Sequence, residues 1–379
     1  MPVRGSLVCL MSLVSLMSFA CREPERLPQA SLSVAGALRS DDNQGYARAI
    51  EPREFSFPKD HGPHPEFRTE WWYYTGNLST QEGRRFGFQL TFFRSAFAPS
   101  MPERSSKWAT RQAYLAHFTV SDIDGGRFHS FERWSRGALG LAGSRGEPFR
   151  VWLEDWSAEG DSTMRLRAAE DGIALDLVLQ PGKPPVLQGV RGLSQKSAEP
   201  GNASYYYSLT RMPASGTVSL GNERFAVSGL AWMDREWSTS SLGQDQVGWD
   251  WFALQLGDGQ DLMLYQLRRK DGTPDPASKG TLVGPRGESR HLDLQDFELE
   301  VTDWWESPRS GARYPAGWRL RIPSGNLDLR IEPLLAGQEL DVSFQYWEGA
   351  VRVEGASRGQ PVRGRGYVEM TGYTEALPR

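Results

Sequence analysis

The fold is decided by two neighbouring stretches, Thr69-Glu-Trp-Trp-Tyr-Tyr-Thr-Gly-Asn-Leu78 and Arg85-Phe-Gly-Phe-Gln-Leu-Thr-Phe-Phe-Arg94. Aromatic residues and threonine in series are typical of β-strands, and the glycine between the two stretches favours a turn. In the second stretch, strict alternation would place four apolar side chains on one face of a strand: Phe86, Phe88, Leu90 and Phe92. The two stretches therefore predict a long antiparallel hairpin.

More strands of this kind follow along the chain, separated by turns that contain glycine. Those in the N-terminal half are predicted at 112–121, 126–134, 149–156, 164–169 and 173–180. At this spacing, six or more antiparallel strands indicate a barrel or a sandwich. No strong amphipathic helix is visible.

A second aromatic hairpin, Trp251–Leu256 with Leu262–Arg268, echoes the first, and such a repeat would produce two barrels from one ancestral unit. The 379 residues are also too many for one ordinary domain. We predict an all-β protein with few short helices and with domains at 53–204 and 205–379. The boundary is placed after a loop that contains proline and glycine.

The composition limits the possible partners. The net charge is −4 and the isoelectric point is about 5.9, so no basic surface is expected that would hold a phosphate backbone. Nucleic acid is therefore excluded as an expected partner. The 14 tryptophans suit strand surfaces and large apolar cavities.

The N-terminus is typical of an export signal. Residues 1–4 carry one arginine, Gly5–Ala20 is apolar, and Cys21 follows directly. Ser18-Phe-Ala-Cys21 resembles a bacterial lipoprotein processing box, which predicts a signal peptide at 1–21, a lipid on Cys21 and a disordered tether at 22–52. An ordinary cleaved signal peptide is the alternative. The residue that follows the cysteine, Arg22, favours a location of the lipoprotein at the periplasmic face of the outer membrane. Both cysteines lie in this segment, so no disulfide is expected in the body.

Paired carboxylates stand out in the stretch Gly229-Leu-Ala-Trp-Met-Asp-Arg-Glu-Trp-Ser238. In a strand, Asp234 and Glu236 share one face with Trp232, while Arg235 points to the other face. Two carboxylates this close raise the pKa of one of them, and a proton-holding carboxyl in an aromatic pocket suits general acid catalysis. The alternative is a structural strand whose carboxylates are paired with arginines.

Other aromatic and acidic clusters are candidates for a ligand cavity. Carboxylate, tyrosine and tryptophan groups around an apolar space suit an isoprenoid or another lipid, because aromatic faces steady a developing carbocation. His61 and His64 lack a third ligand nearby, so no metal site is predicted. The predicted catalytic residues are Asp234 and Glu236. The predicted ligand-binding residues are Glu70, Trp71, Tyr73, His117, Trp232, Trp237, Asp250, Trp251 and Tyr265.

Three motifs resemble those of a known family: Phe57-Pro-x-Asp60-His61-Gly62, Glu70-Trp71-Trp72-Tyr73-Tyr74-x-Gly76-x-Leu78 and Trp232-Met-Asp234-Arg-Glu236-Trp237-Ser238. They look like the AttH-type lipocalin-like proteins, known as predicted secreted hydrolases and related to the carotenoid 1,2-hydratases. The resemblance spans residues 57–373. It implies two lipocalin-like β-barrels packed together.

In the hydratases, a carboxyl is thought to protonate a terminal isoprene double bond before water adds, and neither a redox nor an organic cofactor is needed. The resemblance implies that Asp234 is the acid and that Trp237 and Tyr265 shape the cavity. Many relatives have histidine where this chain has Arg235, which cannot transfer a proton in its place. The AttH branch often accompanies transporters of the lipoprotein-release type, which implies an ABC transporter permease as a partner.

Two functions fit these features. One is an enzyme that adds water to, or hydrolyses, an apolar isoprenoid or lipid ligand. The other is a non-catalytic, membrane-anchored lipid carrier that accompanies the transporter. A scaffold whose barrel interior is filled by its own tryptophans is a third possibility.

Overall fold

The computed structural model describes residues 43–373 except 101–105, 107 and 241. The predicted signal peptide, Cys21 and tether residues 22–42 lie outside the described residues. Within the described part the protein consists of β-strands in two antiparallel sheets, with single-turn 3-10 helices at Lys59–His61, Leu294–Asp296 and Pro323–Gly325. The prediction of an all-β protein with few short helices is confirmed.

The first sheet forms a nearly closed barrel, in the order β4-β3-β2-β1-β13-β12-β9-β8-β7-β6-β5, with β10 and β11 also paired to β12. Its strands are β1 (Thr69–Ser79), β2 (Arg85–Ala96), β3 (Gln112–Asp122), β4 (Arg127–Arg136), β5 (Ala142–Arg145), β6 (Arg150–Leu153), β7 (Trp156–Gly160), β8 (Met164–Glu170), β9 (Ile173–Leu179), β10 (Val186–Leu187), β11 (Leu193–Gln195), β12 (Ala203–Leu220) and β13 (Glu223–Ser240).

The second sheet forms a half-barrel, in the order β17-β16-β15-β14-β22-β21-β20-β19-β18. Its strands are β14 (Gln246–Leu256), β15 (Asp261–Arg269), β16 (Lys279–Val283), β17 (Ser289–Asp293), β18 (Glu298–Glu306), β19 (Arg313–Ile322), β20 (Leu327–Pro333), β21 (Tyr346–Ser357) and β22 (Gln360–Thr371). Both predicted hairpins are present, as β1 with β2 and as β14 with β15.

The division between the sheets differs from the predicted boundary. The boundary between residues 204 and 205 falls inside β12, whereas the chain changes sheets between Ser240 and Gln246. The loop that suggested the boundary contains β10 and β11, and both pair with β12. These backbone hydrogen bonds attach the loop and the following hairpin to the first sheet.

The end of the predicted tether is part of the folded body. Ala49 is fully buried against aromatic residues of the first sheet, and the Ala47 amide donates to the Glu66 carbonyl at 2.9 Å. Arg48 reaches the Pro200 carbonyl at 2.9 Å. The polar composition of residues 43–52 suggested disorder, but these contacts supply the backbone and apolar partners that composition does not reveal.

Strand alternation sorts the aromatic residues of the first hairpin into two environments. Trp72 and Tyr74 enter the barrel core together with the alternating side chains of β2, as predicted. Tyr73 points to the outer face, where it joins residues of the second sheet such as Trp251 in a separate apolar layer. Each sheet also has its own filled core. The space for a ligand therefore lies between the outer faces of the two sheets.

Close packing and polar contacts hold the two sheets together around this space. A Cβ atom added to Gly87 on β2 would lie 2.8 Å from the Ala350 Cβ on β21, so only glycine permits this approach. Asn77 donates to the Gly366 carbonyl at 3.0 Å, and Gln255 donates to the Thr210 carbonyl at 2.7 Å. These contacts fix the separation of the two outer faces.

Candidate active site

A cavity of about 370 Å³ lies between the outer faces of the two sheets. Eight of the predicted site residues lie in its wall: Glu70, Trp71, Tyr73, His117, Asp234, Glu236, Trp251 and Tyr265. Wall residues that the sequence analysis did not identify as site residues include Tyr206, Lys196, Trp249, Tyr346 and Glu369. Most of the wall is aromatic or aliphatic, with a few carboxyl groups facing the space.

Asp234 is a buried carboxyl of the cavity wall and accepts three hydrogen bonds. Ser208 Oγ and Trp232 Nε1 donate to its Oδ1 atom at 2.5 Å and 2.7 Å, and the Tyr206 hydroxyl donates to Oδ2. Burial raises the pKa of Asp234 to about 7, and the three donors only partly oppose this effect. A substantial fraction of Asp234 therefore holds a proton at neutral pH.

Glu236, two residues further along β13, has a different environment. Lys196 Nζ lies 3.1 Å from its Oε1 atom, and the Ser204 hydroxyl donates to the same oxygen. Burial acts to lower the pKa of Lys196, but the neighbouring Glu236 outweighs burial and the pKa is raised. The ammonium also lies 4.2 Å from the centre of the Tyr265 ring. Glu236 therefore forms an ion pair with Lys196. Of the two carboxyls on β13, Asp234 is the one suited to acid catalysis.

Arg235 points away from both carboxylates, as strand alternation predicts. Its guanidinium lies 4.0 Å from the Trp72 ring and donates to the Gly62 carbonyl at 2.6 Å. It also forms an ion pair with Glu70, which Arg94 contacts from the other side. Burial acts to raise the pKa of Glu70, but the two arginines reverse this and hold the pKa far below its usual range. Glu70 is therefore the ionised centre of a buried network with Arg94 and Arg235 at the edge of the cavity.

Three predicted ligand-binding residues lie outside the cavity wall. Trp237 follows Glu236 and therefore faces the opposite side of β13, away from the cavity. Its ring stacks on that of His64, with ring centres 3.7 Å apart. Asp250 lies between two wall tryptophans and faces away for the same reason. It accepts from Tyr373 at 3.0 Å and lies 3.2 Å from Arg268. Trp232 acts through its hydrogen bond to Asp234.

His117 joins the cavity wall to the protein surface. Its Nδ1 atom lies 2.6 Å from the Tyr346 hydroxyl, and its Nε2 atom lies 3.0 Å from Glu132. Both ring nitrogens are therefore occupied. His117 orients Tyr346 against the cavity and has no nitrogen left for a ligand.

A second pair of carboxyls lies on neighbouring strands of the second sheet, and one of the two faces the cavity. Glu369 on β22 faces the cavity and accepts from Trp249 Nε1 at 2.7 Å. Its partner across the strands is Glu348, which accepts from the Tyr73 hydroxyl at 2.5 Å. Burial raises the pKa of Glu369 to about 7 and raises the pKa of Glu348 well above its usual range.

For some of the site residues that were not predicted, the sequence contains a pattern that could have identified them. Ser204, Tyr206 and Ser208 alternate on β12, so pairing β12 with β13 would have placed them beside Asp234 and Glu236. Lys196 lies in a loop and Glu369 on the last strand, and neither has a local pattern that marks it. Among the described residues, no group of three metal-binding side chains occurs, and no helix is long and apolar enough to span a membrane.

Comparison with known proteins agrees with this architecture. The family model described as AttH-like matches residues 48–373. The chain belongs to the AttH-like family. Among solved structures, a protein from Nitrosomonas europaea assigned as an AttH is 35% identical with a TM-score of 0.77, and the match covers 86% of this chain and 99% of that one. The two lipocalin-like sheets described above are therefore shared with an AttH-like relative.

A more distant structure has the same fold. Kievitone hydratase from Nectria haematococca is 15% identical with a TM-score of 0.65, and the match covers 88% of this chain and 98% of that one. At this identity the similarity concerns the fold of the AttH-like chain alone. Among curated proteins, no sequence matches this chain.

Proposed function

We propose that this protein adds water to a carbon–carbon double bond of an apolar isoprenoid-like ligand, or removes water in the reverse direction, with Asp234 as the acid. One observation carries the proposal: Asp234 is a buried carboxyl in the wall of an aromatic cavity, and its pKa is raised to about 7. A general acid works best when its pKa lies near the operating pH.

The surroundings of Asp234 suit the charge that would develop during such a reaction. Protonation of one alkene carbon leaves a positive charge on its neighbour, and the faces of Trp71, Tyr73 and Trp251 line the same space. Asp234 becomes an anion as it donates, and Ser208, Tyr206 and Trp232 are already placed to stabilise that anion.

The cavity supports a ligand that is mainly apolar. Its volume of about 370 Å³ lies within the range of small-molecule sites, which are mostly apolar with a few placed polar groups. The name of kievitone hydratase, which shares the fold, adds support for water addition as the reaction class.

The arginine at position 235 does not oppose the proposal. Arg235 lies on the face of β13 opposite Asp234 and is bound to Glu70 and the Gly62 carbonyl. Its side chain does not contact the cavity, so the proton path from Asp234 to a ligand involves none of its atoms.

We also propose that the protein acts at the periplasmic face of the outer membrane, anchored by a lipid on Cys21, beside an ABC transporter permease. The sequence of residues 1–21 supports the anchor. Intact mass measurement of protein from the membrane fraction tests it. The expected result is a chain that begins at Cys21 and carries acyl groups, and an unacylated chain would contradict it.

The function is tested by incubating the protein with farnesol or squalene, which carry terminal isoprene double bonds, in water labelled with ¹⁸O. We expect an alcohol that carries the label from the wild type and a loss of at least ~100-fold in Asp234→Asn, the range expected for a general acid. Asp250→Asn is the matched control, because Asp250 lies outside the cavity. If both ligands bind but stay unchanged at every pH, the protein is a carrier.

A further inference from the structure

We propose that Glu369 is a second catalytic residue of this cavity and receives the proton that the attacking water loses. The inference rests on the proposed hydration and supplies the group that completes its proton balance. Asp234 and Glu369 would then act as an acid and a base on walls contributed by different sheets.

The position of Glu369 brings it to the same space as Asp234. Glu369 is half-buried in the cavity wall, and its Cα partner on the neighbouring strand is Trp251. The Trp251 indole nitrogen donates to the Tyr206 hydroxyl at 3.2 Å, and that hydroxyl donates to Asp234. The two carboxyls are therefore connected through a short, continuous part of the wall.

One oxygen of Glu369 is fixed by Trp249, whose Nε1 atom donates to Oε1 at 2.7 Å. This contact orients the carboxyl and leaves its second oxygen, Oε2, as the candidate proton acceptor. A water held there would meet a ligand carbon in the cavity on the side opposite the first sheet. The arrangement resembles the common pairing of a general acid and a general base, in which one carboxyl donates a proton while another activates water.

The charged groups that face Glu369 come from both sheets. Asp234 and Glu236 face it from β13, with Lys196 paired to Glu236, and Glu348 faces it from β21. Burial raises the pKa of Glu369 first, and Asp234 and Glu236 add to the effect, while Trp249 opposes it. Asp234 and Glu369 both have a pKa of about 7, so states in which only one of the two carboxyls is protonated are populated near neutral pH.

Glu348 helps to keep Glu369 available as a base. Its side chain is completely buried, and its Oε2 atom has no hydrogen-bond partner among the described residues. Burial and the neighbouring Glu369 raise the pKa of Glu348 well above its usual range, so it stays neutral. Glu369 can therefore carry the negative charge of this pair.

The proton balance of the reaction then closes. Asp234 gives its proton to one alkene carbon, and the π electron pair becomes the new C–H bond. A lone pair of water forms the C–O bond to the neighbouring carbon, and the released proton moves to Glu369. Alkene and water give an alcohol, Asp234 is left ionised and Glu369 protonated, and proton exchange with solvent restores both groups.

The experiment separates the two proton transfers. Farnesol is incubated with the wild type, Glu369→Gln and Glu369→Asp, in D₂O for deuterium exchange on carbon and in ¹⁸O-water for alcohol formation. Exchange needs only reversible protonation by Asp234, whereas alcohol formation also needs a base. We expect Glu369→Gln to lower alcohol formation by at least ~100-fold while deuterium exchange persists, and Glu369→Asp to recover part of the alcohol. Glu354→Gln, an exposed change on β21, is the matched control.

The outcomes distinguish the two proposals. If Glu369→Gln forms alcohol at the wild-type rate, or if it loses deuterium exchange as completely as Asp234→Asn does, the base role of Glu369 is overturned. If the wild type forms neither labelled product, the proposed hydration itself fails, and the role of Glu369 falls with it.

Discussion

The Tyr206 hydroxyl, on the neighbouring strand, donates a hydrogen bond to the Oδ2 atom of Asp234. This bond stabilises the ionised form of Asp234 and opposes the effect of burial. Tyr206→Phe should therefore raise the pKa of Asp234 further, by about one unit if the bond is worth ~1.5 kcal/mol. The decline of hydration at high pH should move upward by the same amount. The pH profile of labelled alcohol formation measures this.

Tyr205→Phe is the control for this variant. Tyr205 precedes Tyr206 on the strand, faces the other side and donates to the Glu51 carbonyl at 2.8 Å. Its removal should leave the pH profile in place. A profile that moves downward in Tyr206→Phe would contradict the role assigned to the hydrogen bond.

The raised pKa of Asp234 predicts how stability depends on pH. Unfolded Asp234 loses its proton near its ordinary pKa of 3.8, whereas the folded protein keeps it up to about 7. Between these values unfolding releases a proton, so the free energy of unfolding falls as the pH rises. Asp234→Asn should remove up to about 1.4 kcal/mol per pH unit from this slope. Urea unfolding across this pH range tests it, and an identical slope in both proteins would count against a raised pKa.

The ionic network around Glu70 predicts a large structural effect. Glu70→Ala leaves Arg94 and Arg235 buried beside each other without a counter-charge. We expect a loss of about 3–5 kcal/mol in the free energy of unfolding, measured by urea denaturation. Glu82→Ala, at an exposed turn, should change it by less than about 0.5 kcal/mol. Comparable stability of the two variants would show that the network does not support the fold.

Two tryptophans should respond in opposite ways to substitution. Trp237 packs on His64 behind the cavity, whereas Trp251 lies in its wall. Trp237→Leu should lower stability by a few kcal/mol and leave the affinity for the apolar probe N-phenyl-1-naphthylamine unchanged. Trp251→Leu should weaken probe binding. Fluorescence titration measures both, and weaker binding in the folded Trp237→Leu protein would place Trp237 at the ligand.

Local alternation accounts for the features that the sequence predicted correctly. The apolar face of β2 and the orientation of Arg235 away from Asp234 both follow from a period of two residues. The same rule, applied to the neighbours of wall residues, would have moved Trp237 and Asp250 out of the cavity.

Long-range pairing explains what the sequence could not reveal. Glu369 reaches the cavity because β22 pairs with β14 and the second sheet packs its outer face on the first. No pattern around the last strand encodes that contact. The core of each sheet is filled by its own side chains. Only the docking of the two sheets creates the cavity.

The proposed function depends above all on Asp234, which is expected to hold a proton near neutral pH. Infrared difference spectroscopy tests it directly, because a protonated carboxyl and a carboxylate absorb differently. The wild-type spectrum minus that of Asp234→Asn should show a carboxyl that titrates near pH 7. A carboxyl at this position that titrates at or below the ordinary aspartate value of 3.8 would contradict the account.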